Sequence, residues 1–339
     1  MHLSFFAVIV LAVMLPVSGQ AVNPIVIKFS HVVASNTPKG MAAEKFKQLA
    51  EQRSQGRVKV EVYPNGQLYK DRDEIEALQL GSVQMLAPSL SKFGPMGVRE
   101  FEVFDLPYIF PNKATLYRVM DGPLGKELLA KLEPKGLLGL AFWDNGFKQM
   151  SANKLLRLPA DFKGLQMRIQ PSKVLEAQMK ALGANPVPMA FSEAHAALRD
   201  GVVGGAENPL SNFYTQKIYE VQKHLTLSDH GYLGYAVIVN KRFWRGLPAD
   251  IRAVIEEAVR ETTDYERAIA QKENDEALER LRASGSIQIH TLTAQERMAW
   301  RKRLTAMHKD FGGLVGKYTI SRINEIAAEV EKETKTKKP

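Results

Sequence analysis

Two polar side chains that could hold a carboxylate stand at the ends of neighbouring predicted strands. A short apolar strand around Val202–Ala206 leads through one glutamate to Asn208, and Pro209 then ends any ladder pairing because proline has no N–H to donate. Earlier in the chain, Gly164–Ile169 has the same design and carries Arg168 close to its end. Ligands of open α/β sheets bind outside the carboxyl ends of the strands, so Arg168 and Asn208 are predicted to bind a carboxylate. Taken singly, each could instead be a surface ion-pair residue or a turn residue.

Further polar residues stand at other predicted strand ends or in the helical turn that follows. They are His31, Lys39, Ser89, Asn145 and Lys148. Cations from two sides could each hold one end of a diacid, with arginine offering a two-pronged contact and lysine a point charge. We therefore predict that these residues complete a small-anion site, although Lys39, Ser89 and Lys148 could each be solvated surface residues.

Sequence motifs of catalysis and cofactor binding are missing from the chain. There is no Gly-x-Gly-x-x-Gly, no phosphate-binding Gly-Lys-Ser/Thr loop and no Gly-x-Ser-x-Gly elbow, and the seven histidines form no His-x-x-His pair. The absence of cysteine excludes disulfides, thiolate catalysis and cysteine-ligated metals. We therefore expect a binding protein rather than an enzyme, with no cofactor, no metal and no catalytic residues.

The beginning of the sequence predicts export. Leu3–Val17 is almost wholly apolar and uncharged and is followed by small residues, a length that suits a signal peptide and falls short of a membrane span. Residues 1–21 are expected to be cleaved, with an uncleaved anchor as the alternative, and the mature chain is expected to be soluble. The net charge of +9 is spread along the chain among acidic residues, which favours attraction of small anions over nucleic-acid binding.

The order of predicted elements indicates an α/β fold. Strands at Ile25–Ser30, Val58–Tyr63 and Val83–Ala87 alternate with a helix that begins at Thr37-Pro38 and another at about Asp71–Leu80. Such a strand–helix series implies a parallel sheet with right-handed crossovers.

The same pattern starts again after Asp144–Gly146, which we interpret as a turn at a domain crossing between strands Gly136–Trp143 and Phe147–Ser151. A strand at Tyr235–Asn240 could return to the first domain, and a helix of about residues 248–283 is long enough to brace two lobes. We expect a two-lobed clamshell with this long helix spanning both lobes. The expected boundaries are 1–21 for the signal peptide, 22–145 plus 234–273 for lobe I, 146–233 plus 274–301 for lobe II, and 302–339 for C-terminal helices packed on the lobes.

The chain resembles TRAP-transporter periplasmic substrate-binding proteins of the C4-dicarboxylate type over nearly all of its mature length. The landmarks of the resemblance are Phe29–His31, Asn36–Gly40, Tyr63–Leu68, Gln84–Ser89, Lys92–Gly94, Phe104–Tyr108, Trp143–Lys148, Lys163–Arg168, Glu207–Leu210 and Asn240–Trp244.

The resemblance implies a periplasmic role in delivering organic acids to TRAP membrane permease subunits. It also implies that Arg168 makes the selective salt bridge to a substrate carboxylate with help from Asn208, and that the substrate is malate, succinate or fumarate. Lys148 takes a position where many relatives carry arginine. Lysine keeps the positive charge but lacks the planar guanidinium that can donate two parallel hydrogen bonds to a carboxylate. Alternatives left open are a different organic acid, a sensor kinase as the partner, and an exported enzyme that acts on organic acids.

Overall fold

The computed structural model describes residues 23–71 and 73–336, so the predicted signal peptide lies outside the described residues. The described chain forms one sheet of nine strands. The strands are β1 Ile25–Ser30, β2 Val58–Tyr63, β3 Met85–Leu86, β4 Leu137–Ala152, β5 Gln166–Ile169, β6 Asn185–Pro188, β7 Gly205–Asn208, β8 His224–Asn240 and β9 Gln288–Thr291.

Two long strands divide the sheet into halves. The strand order is β2-β1-β3-β8-β4-β7-β5-β6, with β9 beside β8. We call β2, β1, β3 and the adjoining ends of β8 and β4 the first half, and β7, β5, β6, β9 and the other ends of β4 and β8 the second half. The strands within β2-β1-β3 and within β7-β5-β6 are parallel, whereas β4 and β8 run antiparallel to each other and continue from one half into the other.

Helices cover the sheet and account for most of the remaining chain. They are α1 Pro38–Arg53, α2 Glu74–Leu80, α3 Lys113–Asp121, α4 Pro123–Ala130, α5 Lys173–Leu182, α6 Phe191–Arg199, α7 Leu210–Thr215, α8 Lys241–Gly246, α9 Ala249–Ser284, α10 Ala294–Thr305, α11 His308–Val315 and α12 Lys317–Thr336. No helix within the described residues is long and apolar enough to cross a membrane.

Local signals in the sequence account for the start of α1. The side chain of Thr37 accepts a hydrogen bond from the backbone N–H of Gly40, and Pro38 occupies the first helical position, where its missing N–H costs nothing. The helix buries Ala42 and Phe46 against the first half of the sheet. This capping is what places the first turn of α1, and Lys39 with it, at the carboxyl end of β1.

The predicted turn at residues 144–146 is wrong. The chain continues through these residues as part of the single strand β4, and the pairing with β8 slips between Asp144 and Gly146. Gly146 has a φ of +142°, a backbone conformation that side-chain-bearing residues rarely adopt. The residues with turn chemistry therefore form a β-bulge inside a long strand, at the place where β4 leaves the first half.

Two other predicted strands have different bounds in the structure. The strand predicted around Val202–Ala206 is Gly205–Asn208, and Val202 lies outside it with 58% of its surface exposed. The strand predicted at Tyr235–Asn240 is the end of the longer β8. Glu207 and Asn208 are consequently the last residues of a buried strand rather than residues that follow one.

The long helix α9 was predicted from sequence and contacts both halves of the sheet. Its first turns pack Ile251 and Ile255 into the apolar core beneath β1 and α1. Its last turns pack Ala277 and Leu281 into a separate core beneath β7 and the beginning of β8. The exact domain boundaries given above remain predictions.

Candidate functional site

A narrow cavity lies between the two halves and is lined mainly by polar and charged side chains. The polar lining residues are Lys39, Asp71, Ser89, Lys92 and Tyr235 from the first half, and Arg168, Gln170, Asn208 and Asn212 from the second. A wider cavity of about 510 Å³ adjoins it and shares Asp71, Lys92, Arg168 and Gln170. The two cavities together form a cleft whose inner end is strongly cationic.

Arg168 is the central cation of the second half. It lies on β5, which pairs with β7 in a register that sets Arg168 opposite Ala206, two residues before Asn208. Its Nε and Nη2 donate to the carbonyl oxygen of Met189 at 3.2 and 2.8 Å, and the guanidinium lies over the ring of Phe191. Within the described chain Nη1 donates no hydrogen bond. Burial lowers the pKa of Arg168, an effect that Asp71 partly opposes, and an arginine remains charged under such conditions.

Asn208 and Asn212 extend the polar lining on the same side. Asn208 is the last residue of β7 and Asn212 lies in α7, and both are buried. The side-chain amide of Asn208 has no hydrogen-bond partner among the described residues. A buried amide and a buried guanidinium with unused donors suit a carboxylate oxygen.

Lys39 is the innermost cation of the first half. Its Nζ donates to the carbonyl oxygen of Ala87 at 3.0 Å and lies 3.9 Å from the ring centre of Tyr235. Burial lowers the pKa of Lys39 to about 7, with Glu74 opposing the effect and Lys92 adding to it. Lys39 therefore carries its charge at the expense of solvation, a cost that a bound anion would offset.

Ser89 connects the two halves across the cavity. Its hydroxyl accepts a hydrogen bond from Nε2 of Gln170 at 2.6 Å, and its backbone bridges to Tyr235 of β8. Ser89 and Gln170 belong to opposite halves, so this contact exists only when the halves are close together.

Lys92 and Asp71 lie at the mouth of the narrow cavity and were not among the residues predicted from sequence. Lys92 forms ion pairs with Asp71 and Glu74, and a carboxylate oxygen of Asp71 accepts from the backbone N–H of Phe191 in the other half at 2.6 Å. Burial alone would raise the pKa of Asp71, but Lys92 and that N–H hold it at about 2. Lys92 lies in a landmark of the family resemblance, yet no strand-end pattern marks it as a cleft residue.

Lys148, predicted to face the ligand, instead lies within an ion-paired cluster behind the cavity. Its Nζ contacts Glu207 at 2.7 Å, and Glu207 also accepts from Gln178 and lies 2.8 Å from a ring nitrogen of His230. Although burial raises the pKa of Glu207, Lys148 and His230 more than offset this and hold it well below the usual value. Lys148 does not line either cavity of the cleft, and its contact with a ligand stays a prediction.

His31 and Asn145 also lie behind the cavity lining. His31 is buried, and both of its ring nitrogens lack partners among the described residues. Burial lowers the pKa of His31 to about 3, so the ring is neutral. Asn145 donates to the hydroxyl of Tyr235 at 2.6 Å and accepts from the hydroxyl of Ser211 at 2.9 Å. Of the seven predicted residues, the structure brings Lys39, Ser89, Arg168 and Asn208 together in the cavity wall.

Known proteins with related sequences are bacterial solute-binding proteins. The profile of the DctP family, described as bacterial extracellular solute-binding protein, family 7, matches residues 29–313. A C4-dicarboxylate-binding periplasmic protein of Rhodobacter capsulatus is 61% identical over 91% of this chain and 92% of its own length. A C4-dicarboxylate-binding protein of Bacillus subtilis is 43% identical over 90% of this chain and 87% of its own length.

Solved structures with the same fold contain organic acids. A TRAP periplasmic solute-binding protein of Sulfurospirillum deleyianum with bound succinate has a TM-score of 0.85 at 46% identity, over 89% of this chain and 99% of that one. A counterpart from Pseudomonas aeruginosa with bound L-malate has a TM-score of 0.83 at 46% identity, over 85% of this chain and all of that one. The predicted resemblance and the predicted two-lobed α/β fold with its long helix are therefore confirmed, and the chain belongs to family 7 of the bacterial extracellular solute-binding proteins.

Proposed function

We propose that this protein captures a C4-dicarboxylate such as succinate, malate or fumarate in the cleft between its halves. The main observation in support of this proposal is that one buried cavity is lined by cations from both halves, namely Arg168, Lys39 and Lys92. The narrow cavity is lined by these three cations and one carboxylate, Asp71. Glu74 also pairs with Lys92, so positive charge stays in excess, which suits a dianion. The dicarboxylate ligands of relatives with 43–61% identity support the same ligand class.

Binding in this cleft depends on contacts from both halves. We propose that Arg168 and Asn208 hold one carboxylate, while Lys39 and Ser89 hold the other from the opposite side. Movement of the halves about β4 and β8 would close the cleft and remove water, which strengthens each charged contact. The predicted lobes I and II are the units that we expect to move.

Delivery to a membrane transporter is the second part of the proposal. The family consists of solute-binding proteins, which supports binding without chemical change of the ligand. The relative from Rhodobacter capsulatus is named as periplasmic, and this chain has a predicted signal peptide. We therefore propose that the mature protein acts in the periplasm and hands its ligand to TRAP permease subunits.

Thermal unfolding of the mature protein with a panel of acids tests the ligand class. A ligand that binds only the native state stabilises it by about 2.7 kcal/mol at a concentration of one hundred times Kd. We expect succinate, L-malate and fumarate to raise the Tm by roughly 4 °C, since an unfolding entropy of about 2.1 cal/mol/K per residue makes each kcal/mol worth about 1.5 °C in a chain of this length. Acetate and sialic acid serve as controls and should give no shift. A panel in which no C4 diacid raises the Tm would refute the proposed ligand.

Affinity for the dianion should depend on pH through Lys39. The pKa of Lys39 in the free protein is about 7, and a bound carboxylate raises it because the opposite charge stabilises the ammonium. Below pH 7 Lys39 is already protonated, so its titration does not change the Kd. Above pH 7 binding requires Lys39 to take up a proton, and the Kd rises by up to about tenfold per pH unit. Calorimetric titrations with succinate from pH 6.5 to 9 should show this weakening. A constant Kd across that range would show that Lys39 takes up no proton when succinate binds, which would contradict the coupling predicted here.

A further inference from the structure

One stripe of the long helix α9 holds the bulge of strand β4. Glu266, Ala270 and Asn274 are spaced four residues apart, so they share one face of the helix. A carboxylate oxygen of Glu266 accepts from the backbone N–H of Asp144 at 2.8 Å. Nδ2 of Asn274 donates to the carbonyl oxygens of Asn145 at 2.6 Å and Ala270 at 2.7 Å. The helix therefore fixes the main chain at the place where β4 leaves the first half.

Asn274 also contacts the segment that carries the ligand-binding amides. Its Oδ1 accepts from the backbone N–H of Ser211 at 3.0 Å. Ser211 lies in α7 between Asn208 and Asn212, both of which line the narrow cavity. The hydroxyl of Ser211 donates to Asn145, so the bulge, the helix and the ligand-binding segment meet at one buried point.

The fit around Asn274 is close. Its side-chain amide uses both donor directions and its acceptor, and only 7% of the residue is exposed. A Cβ added to Gly146 would lie 3.0 Å from Nδ2 of Asn274, so the bulge leaves no room for another side chain there. A shorter residue at position 274 would leave the N–H of Ser211 and the carbonyl of Asn145 without these partners.

We propose that Asn274 is a positioning residue for the ligand-binding segment. By holding Ser211, it fixes Asn208 and Asn212 at the wall of the cavity relative to the bulge of β4. Affinity then depends on a side chain of the long helix that does not line the cleft. The inference rests on the proposed function in so far as it concerns affinity.

Two variants and a matched control separate positioning from general stability. Asn274→Ala removes all three hydrogen bonds. In Asn274→Ser the hydroxyl can still donate to the helix carbonyl four residues earlier, as Thr263 does to Val259 at 2.8 Å, so this variant should fold. The control is Ser54→Ala, because Ser54 is also buried, donates to the carbonyl oxygen of Glu51 and accepts from the backbone N–H of Val58, at a site between α1 and β2 that lines neither cavity of the cleft.

The readouts are succinate affinity, the Tm and hydrogen exchange of the Ser211 amide without ligand. We expect both Asn274 variants to bind succinate about tenfold more weakly and to exchange that amide faster. Ser54→Ala should also lower the Tm but should change neither the succinate affinity nor the exchange rate of the Ser211 amide. Unchanged affinity in the Asn274 variants, or an equal loss in the control, would overturn the inference. If succinate does not bind the wild type, the proposed function fails, and the exchange rate of Ser211 alone decides the positioning role.

Discussion

Arg168→Ala is expected to weaken succinate binding on the order of a hundredfold. The guanidinium is buried with an unused Nη1 and is held in place through the carbonyl oxygen of Met189. Removing one member of a buried charge pair costs about 2–5 kcal/mol, because the partner carboxylate is then left in the cavity without its counter-charge. Calorimetric titration gives Kd directly, and an affinity within a factor of two of the wild type would exclude a contact with the ligand.

Two further variants sharpen the test of Arg168. Arg168→Lys keeps the charge but loses the planar guanidinium. If the contact with the carboxylate is bidentate, this variant should recover only a small part of the affinity that Arg168→Ala loses. Arg199→Ala is the matched control, because Arg199 is exposed and pairs with its neighbour Asp200 on the surface. We expect the control to bind succinate as tightly as the wild type.

Lys148→Met is expected to lower the free energy of unfolding by about 3 kcal/mol, because it leaves buried Glu207 without its main counter-charge. The double variant Lys148→Met/Glu207→Gln should recover part of that loss, since the uncompensated charge is gone. Urea denaturation measures both effects. Lys173→Met, at an exposed ion pair, should change little.

The pair of Lys148 and Glu207 should also make the free energy of unfolding depend on pH. The pKa of Glu207 in the folded protein lies below its ordinary value of 4.5, so its contribution to stability is complete above that value and is lost as the pH falls below it. Unfolding of Lys148→Met should therefore depend less on pH in this acidic range than unfolding of the wild type. Denaturation curves of Lys148→Met that match the wild type at neutral pH would contradict the structural role of the pair.

The predictions from sequence succeeded where local chemistry decides the structure. Thr37 and Pro38 specify the start of α1 by capping, and the alternation of apolar and polar residues over most of β1 and β2 is typical of strands. Arg168 and Asn208 were predicted to lie together because parallel strand ends meet at one edge of a sheet, and both line the narrow cavity, while their contact with a ligand stays a prediction.

The predictions failed where distant pairing decides the structure. Asp144–Gly146 has the composition of a turn, but pairing with β8, far along the chain, keeps it inside a strand as a bulge. A shift of one residue in register reverses the face to which each side chain points, so the direction of Lys148 could not be read from the sequence. Lys92, Gln170 and Asn212 follow no strand-end pattern, and only the folded chain shows that they line the cleft.

The most direct test of the central claim is a calorimetric comparison of succinate with succinamate, which has the same carbon skeleton and a neutral amide in place of one carboxylate. If cations from both halves each hold one carboxylate, succinate should bind with a Kd of about 1 μM, near 8 kcal/mol of binding free energy. Succinamate should bind at least about a hundredfold more weakly, because one buried cation would face an uncharged group. Equal affinity for the two compounds, or no binding of succinate, would contradict the claim that this cleft recognises a dicarboxylate.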